Sequence, residues 1–199
     1  FITSYAKKDV AVDLADILTD DVTLTMIGGT IEGFTSYEDT ISGYPSEPIA
    51  DETTGIDMLY SSGTTGRPKG IIPPFPNLPY GEQSDTTKQF IGLWGMDENS
   101  VYLSPAPLYH SAPLRYCNSI LYAGGTCIIM ESFDALDALS FIEKYRVTHS
   151  QWVPTMFIRM LKLPEEERNI YDMSSLKNAV HAAAPIPIPV KEKMIEWWG

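Results

Sequence analysis

The run Tyr60-Ser61-Ser62-Gly63-Thr64-Thr65-Gly66-Arg67-Pro68-Lys69-Gly70 concentrates small, hydroxylated and cationic residues in one stretch. Glycines let backbone N–H groups approach an anion closely and permit positive φ. Successive N–H groups then form an anion-binding concavity. Ser and Thr hydroxyls add donors, and a lysine adds a point charge suited to phosphate. Together these residue types read as a triphosphate cradle. The run is not a Walker A loop, which needs Gly-Lys followed by Ser or Thr and four residues between its glycines. Here Pro68 precedes Lys69 and Gly70 follows it. A flexible Ser/Gly linker would need neither the Pro-Lys-Gly end nor the apolar strand that feeds the loop.

Other residues able to do chemistry are fewer. His110 lies between Tyr109 and Ser111 at the start of an expected helix. His149 reads as a core or edge histidine on a strand, and His181 immediately precedes the small-residue turn Ala182-Ala183-Ala184-Pro185. Glu165-Glu166-Glu167 reads as a solvated charge run, and Trp197-Trp198 as core packing. Cys117 and Cys127 are too few and too far apart for a disulfide framework or a zinc site, and read as buried small hydrophobes. No metal-ligand set is read from the chain.

The elements that would position these residues alternate between helix and strand. Val10, Leu14, Ile17 and Leu18 predict one apolar helix face, followed by a strand over Val22–Ile27 and a weak helix over Ser36–Gly43. A short strand, Ile56–Tyr60, runs into the glycine loop. Four prolines exclude regular structure over 71–85. A helix over about Thr86–Gly95 and a strand over Val101–Ser104 come next. A helix over His110–Tyr122 is stopped by Gly124-Gly125, and Thr126–Met130 reads as a buried strand. Asp134 should cap a helix with Ala135, Ala138, Leu139 and Ile142 on one face. Thr148–Val153 reads as a strand, Pro154 as the first residue of a helix to about Leu163, and Pro164–Tyr171 as a charged loop. A strand over Leu176–Ala183 and a helix over Pro189–Trp198, with Val190, Met194 and Trp197 on one side, complete the chain. The pattern predicts an α/β fold of largely parallel sheets with helices on both faces. Its segments are a lead-in over 1–55, the strand and loop over 56–70, a proline-rich insertion over 71–85 and a second α/β segment over 86–199.

The 199 residues carry 26 acidic against 14 basic side chains, a formal charge of −12. Such a balance argues against nucleic acid or an anionic membrane surface as partner. No apolar run approaches the roughly 18 residues of a membrane span. With no signal-peptide pattern, the expectation is a cytoplasmic protein.

The glycine run resembles the phosphate loop of the adenylate-forming superfamily, Tyr-Thr-Ser-Gly-Thr-Thr-Gly-x-Pro-Lys-Gly, with Ser61 in place of the first Thr. Two further segments agree in order and spacing. Ser104-Pro-Ala-Pro-Leu-Tyr-His110-Ser resembles the family's second motif, and Ala182–Pro185 resembles its Gly-Ala-Ala-Pro turn against adenine. Between them, Ser150-Gln-Trp-Val153-Pro154-Thr155 is similar to the strand-to-helix turn beside the acyl group. The resemblance implies ATP with Mg²⁺, a carboxylic acid and CoA as small-molecule partners. It also implies roles. Ser61, Ser62, Gly63, Thr64, Thr65, Gly66 and Lys69 would hold the β- and γ-phosphates, with Lys69, Thr65 and His110 nearest the chemistry. Ala182, Ala183, Ala184 and Pro185 would pack on adenine, and His110, Val153 and Pro154 would border the acyl group.

Peptide-synthetase adenylation domains carry a Phe-Asp element at the second motif, where this chain has Tyr109-His110-Ser111. An acyl-CoA synthetase acting on an aliphatic or alicyclic acid is therefore preferred, with homo-oligomers left open. The alternative from a different class is a non-catalytic nucleotide-binding or interaction module; a P-loop hydrolase is more distant. After Gly70 the sequence Ile71-Ile72-Pro73-Pro74 departs from the family, and the insertion to Tyr80 reads as a cover over a pocket or an interface. The family's Tyr-Gly-x-Thr-Glu segment, ribose-binding Asp and small C-terminal domain have no counterpart in these residues. The chain also starts inside a strand-like segment, Phe1–Ser4. The expectation is an internal slice of a larger enzyme, unable to catalyse either half-reaction alone.

Overall fold

The computed structural model describes residues 1–18, 21–60, 66 and 68–199. They form two units, Phe1–Glu52 and Thr53–Gly199. In the first, strands β1 (Ile2–Ser4), β2 (Thr25–Ile27) and β3 (Thr35–Ser36) pair in parallel in that order. Helix α1 (Lys8–Ala15) connects β1 to β2, and α2 (Tyr37–Ser42) follows β3, its N-terminus capped by Ser36 accepting from Asp39 N–H. The first core is Ala11, Met26 and Phe34. This corrects the expected face of α1: Val10 and Ile17 are 58% and 76% exposed, whereas Ala11 is 1% exposed. A helix resting on a sheet through alanine can approach it closely, and here the small side chains at Ala11 and Ala15 turn inward.

In the second unit, β4 (Leu59–Tyr60) and β5 (Gly70–Ile71) form an antiparallel pair that closes the two ends of the glycine run. The strand expected over Ile56–Tyr60 is thus only two residues long. Beyond Ile71 the proline-rich segment carries no helix or strand until α3 (Asp85–Trp94), apart from an isolated bridge between Thr53 and Pro79. The segment is nevertheless held: Thr54 N–H donates to Leu78 O (2.9 Å), and its buried hydroxyl lies 2.9 Å from Pro79 O.

The main sheet contains β6 (Val101–Ser104), β7 (Thr126–Ile129), β8 (His149–Trp152) and β9 (Asn178–His181), all parallel, in the order β7-β6-β8-β9. Helices α4 (Ser111–Tyr122), α5 (Ala135–Tyr145), α6 (Pro154–Leu161), the single turn α7 (Glu165–Arg168) and α8 (Ile188–Trp198) connect or follow them. Alternation along each strand sends successive side chains to opposite faces. Tyr102 stacks on Tyr116 of α4, ring centroids 5.4 Å apart and 9° from parallel, in a cluster with Cys117 and Ile120. Leu103 points the other way, into a core shared by α5, α6 and α8 with Leu139, Ile142, Trp152, Phe157 and Met194. Trp198 meets Trp152 and Phe157 edge-on at 5.6 and 5.7 Å.

Asp134 caps α5 as expected, accepting from Leu136 and Asp137 N–H at 2.9 and 3.1 Å, and Ala135, Ala138, Leu139 and Ile142 are all buried. Two other expectations change. The run over Thr126–Met130 reads as a buried strand, but β7 lies at the sheet edge with Ile129 45% exposed. The expected charged loop contains α7, whose Arg168 pairs with Glu165 at 3.2 Å. The Gly124-Gly125 stop has a steric cause: a Cβ on Gly125 would lie 2.6 Å from Ser100 O, so only glycine lets the chain turn from α4 into β7.

Candidate active site

The site follows from the strand order. The connection after β6 leads through α4 to β7 on one side, whereas the connection after β8 leads through α6 to β9 on the other. The two helices therefore lie on opposite faces, consistent with the two separate clusters around Tyr102 and Leu103. Adjacent strands whose connections diverge leave a crevice at their carboxyl ends, and open parallel sheets bind ligands there. Residues 105–111 follow β6, Val153-Pro154 follow β8, and Ala182–Pro185 follow β9. Three segments far apart in sequence thus emerge from one edge of one sheet.

Each segment is prepared locally. Pro105 is fully buried and Ala106 is 7% exposed, which anchors the turn after β6. Beyond it Tyr109 and His110 are exposed, their rings 4.5 Å apart, and His110 N–H donates to Pro107 O. His110 is the N-cap residue of α4, yet its side chain makes no capping bond. Pro113 occupies the first turn, where its missing N–H would be unpaired in any helix. Val153 likewise starts α6 without a side-chain cap, ahead of Pro154. Ser36, Ser84 and Asp134 cap α2, α3 and α5, whereas α8, which follows β9, also starts without a side-chain cap. Uncapped helix starts present unpaired N–H groups and positive dipole ends, which suit an anion.

After β9, Ala182 N–H donates to Trp152 O at 3.0 Å, extending the β8–β9 pairing by one residue. Ala183 then takes φ +72°, a left-handed backbone unusual for a residue with a Cβ. Ala183, Ala184 and Pro185 are exposed. His181 is half-buried with its ring edge-on to Phe157, and His149 is 1% exposed, bonded to Thr148 Oγ1 and to Trp94 O. The two histidines on strands therefore differ, His149 being a structural core residue. Val153 and Pro154 sit partly or fully within the core on the α6 face, leaving the exposed rings to Tyr109 and His110.

Of the glycine run, Gly66 and Lys69 are exposed, and Gly70 closes the β4–β5 pair. Ser61, Ser62, Gly63, Thr64, Thr65 and Arg67 lie outside the described residues. Among the described residues, no group of three His, Cys, Asp or Glu side chains could hold a metal ion. Burial raises the phenols of Tyr102 on β6 and Tyr116 on α4, the latter to about 12. Cys127 is raised by the hydrogen bond it shares with Cys117 and by burial; its thiol donates to Cys117 O at 3.6 Å.

The proline-rich segment does border a cavity, of about 1090 Å³, between Pro73, Pro74 and Pro76, α3, and the outer side of α4 at Arg115 and Asn118. Arg115 Nε lies 3.5 Å from Asp57 Oδ2 there. The cavity is separate from the strand-end segments, none of whose residues lines it. Gln151 and Ser104 belong to the sequence motifs, but their burial as polar residues on inner strands is visible only in the structure (2% and 0% exposed). The signal available was a glutamine within a strand expected to be covered on both faces.

Residues 6–199 match the AMP-binding enzyme family. The chain belongs to that family. A probable CoA ligase of Humulus lupulus, CCL5, is 28% identical over 202 residues, covering 98% of this chain and 36% of that protein. The peroxisomal acetate/butyrate–CoA ligase AAE7 of Arabidopsis thaliana is 30% identical over 164 residues, 78% of this chain and 27% of that protein. The fold is also that of the anthranilate CoA ligase AuaEII in complex with anthranoyl-AMP, with TM-score 0.76 and 23% identity, over 98% of this chain and 38% of that one. The chain thus spans about a third of the length of the curated relatives it matches. Among the described residues no helix is long and apolar enough to cross a membrane.

Proposed function

We propose that this AMP-binding chain forms part of an acid–thiol ligase, which joins a carboxylic acid to AMP from ATP and passes the acyl group to CoA. The observation that carries this reading is the convergence of three segments on one carboxyl sheet edge, after β6, β8 and β9, beside two uncapped helix starts. In the first step a carboxylate oxygen attacks the α-phosphorus of ATP and pyrophosphate leaves. In the second the CoA thiolate attacks the acyl carbonyl and AMP leaves. Both partners of the first step are anionic, so the protein contributes positioning and charge stabilisation. Ser61, Ser62, Gly63, Thr64, Thr65, Gly66 and Lys69 would hold the β- and γ-phosphates, with Mg²⁺ arriving on the nucleotide. Ala182–Pro185 would lie against adenine. His110, Val153 and Pro154 would border the acyl group, with the α4 start facing the carboxylate as it becomes the adenylate. The relatives' names include both an aliphatic and an aromatic acid, so the broad substrate class is a monocarboxylic acid.

The test is carboxylate-dependent exchange of pyrophosphate into ATP by the full-length protein that carries this chain. Lys69→Ala should lower that exchange roughly 10–1000-fold, as expected for removing one charge-stabilising group. Exchange that continues without any carboxylate, or that is indifferent to Lys69→Ala, would refute the assignment.

A further inference from the structure

One buried polar atom near the same carboxyl ends of the strands has no partner among the described residues. Gln151 is 2% exposed, and its Oε1 has no hydrogen-bond donor among the described residues. The orientation of its amide is fixed by its neighbour. Nε2 donates to Trp152 O at 2.9 Å, and that carbonyl also accepts from Ala182 N–H. A carbonyl only accepts, so the amide nitrogen must face it and Oε1 must face away. Buried acceptors left unpaired are costly and rare, and each needs an explanation.

Its location supplies one. His149 and Gln151 share one face of β8, and His149 bonds to the end of α3, so Gln151 lies on the α3–α4 face. The β6–β8 register pairs Leu103 with Ser150, and continuing it by one residue sets Ser104 beside Gln151. On the other side Gln151 pairs with Val180. Ser104 is fully buried, and its hydroxyl reaches Ala106 O only at 3.5 Å, the limit of a hydrogen bond. One pleat deeper on the same face lies the buried Tyr102 hydroxyl, which faces Ser104. Three neutral polar groups thus share the sheet face beneath α4, the helix that starts at His110.

We propose that Gln151, with Ser104 beside it, forms the polar floor of the acyl site and selects an acid bearing a hydroxyl group far from its carboxylate. The proposal rests on the adenylating reading above. A free acceptor calls for a donor. The row of Ser104, Gln151 and Val180 contains no charge to balance an ammonium, so the donor is a neutral hydroxyl. With the carboxylate held at the crevice mouth by the α4 start, the group that reaches Gln151 is the distal end of the acid.

The experiment compares matched acids in pyrophosphate exchange with the full-length protein: ω-hydroxylated against unsubstituted straight-chain acids, and hydroxyphenyl against phenyl acids. The hydroxylated member should be preferred roughly 10–100-fold in kcat/KM, as for a site whose buried polar group would otherwise be unpaired. Gln151→Leu should erase that preference, bringing the ratio of kcat/KM between the hydroxylated and the unsubstituted acid, both read on the same variant, to about one. A wild-type ratio near one for every pair would overturn the proposal while leaving adenylation standing. So would a preference that survives Gln151→Leu. If no acid supports exchange, the adenylation reading itself fails, and the floor with it. The wild-type ratio needs no variant, so the test stands even if Gln151→Leu does not fold.

Discussion

Ala183 offers a test in which stability and function should move in opposite directions. Its φ of +72° lies in the left-handed region, where a Cβ crowds the following carbonyl at a cost of about 1–2 kcal/mol. The side chain is exposed, so Ala183→Gly loses no packing. The glycine adds unfolded-state entropy worth about 0.4–1 kcal/mol against folding. Relief of strain outweighs it, and Ala183→Gly should stabilise the protein by about 0.5–1 kcal/mol. For a chain of this size that is a rise in Tm of about 1–4 °C. Ala184→Gly is the control: Ala184 has no positive φ, so only the entropy cost applies and Tm should fall. Ala183→Val should lower it further, because a β-branched side chain fits the left-handed region poorly. Thermal unfolding of the three variants gives the readout. A lowered Tm for Ala183→Gly, or an unchanged one for Ala183→Val, would refute the argument. Strained backbone tends to be kept at functional sites. The stabilised Ala183→Gly protein should therefore show a raised KM for ATP, with the KM for the acid little changed.

Three further outcomes follow from the packing. Asp134→Ala removes the acceptor for two N–H groups of α5 and should cost about 1 kcal/mol, read as a lower urea midpoint at unchanged slope. Leu139→Ala empties part of the core under α5 and should cost about 2–5 kcal/mol, whereas Ile17→Ala, at a side chain 76% exposed, should stay within about 0.5 kcal/mol. Asp172 is held down to about 2 by the Ser174 hydroxyl, the Ser174 N–H and Arg146. Its folded value lies below the ordinary carboxylate range, so its contribution is present at neutral pH and is lost as pH falls from about 4 through about 2. Stability curves of wild type and Asp172→Asn should therefore converge over that interval; a constant gap would show that the pairing does not depend on ionisation.

Local chemistry was legible wherever the decisive contacts are close in sequence. The Asp134 cap and the Pro154 helix start depend on neighbours within a few positions, and the pattern of the strand Val101–Ser104 is likewise local. Those residues, with the glycine run, were enough to predict the α/β class and the chemistry to look for. The face of α1 was misread because Ala11, a weak signal in a hydrophobic pattern, buries better against a sheet than Val10 or Ile17. Likewise β7 has the composition of an inner strand but the position of an edge.

By itself, then, the sequence determined the alternation of elements, the anion-binding residue types and the three segments that matter. Only the tertiary structure decided that these segments share one edge. That depends on β8 pairing with β6, and so on chain reversals that bring together residues nearly fifty positions apart. It alone showed Gln151 with a buried, unpaired oxygen and Ala183 with a left-handed backbone. The physical reason is range. Helix caps and turns are set by neighbouring atoms, whereas burial, register and strand order are properties of the packed whole.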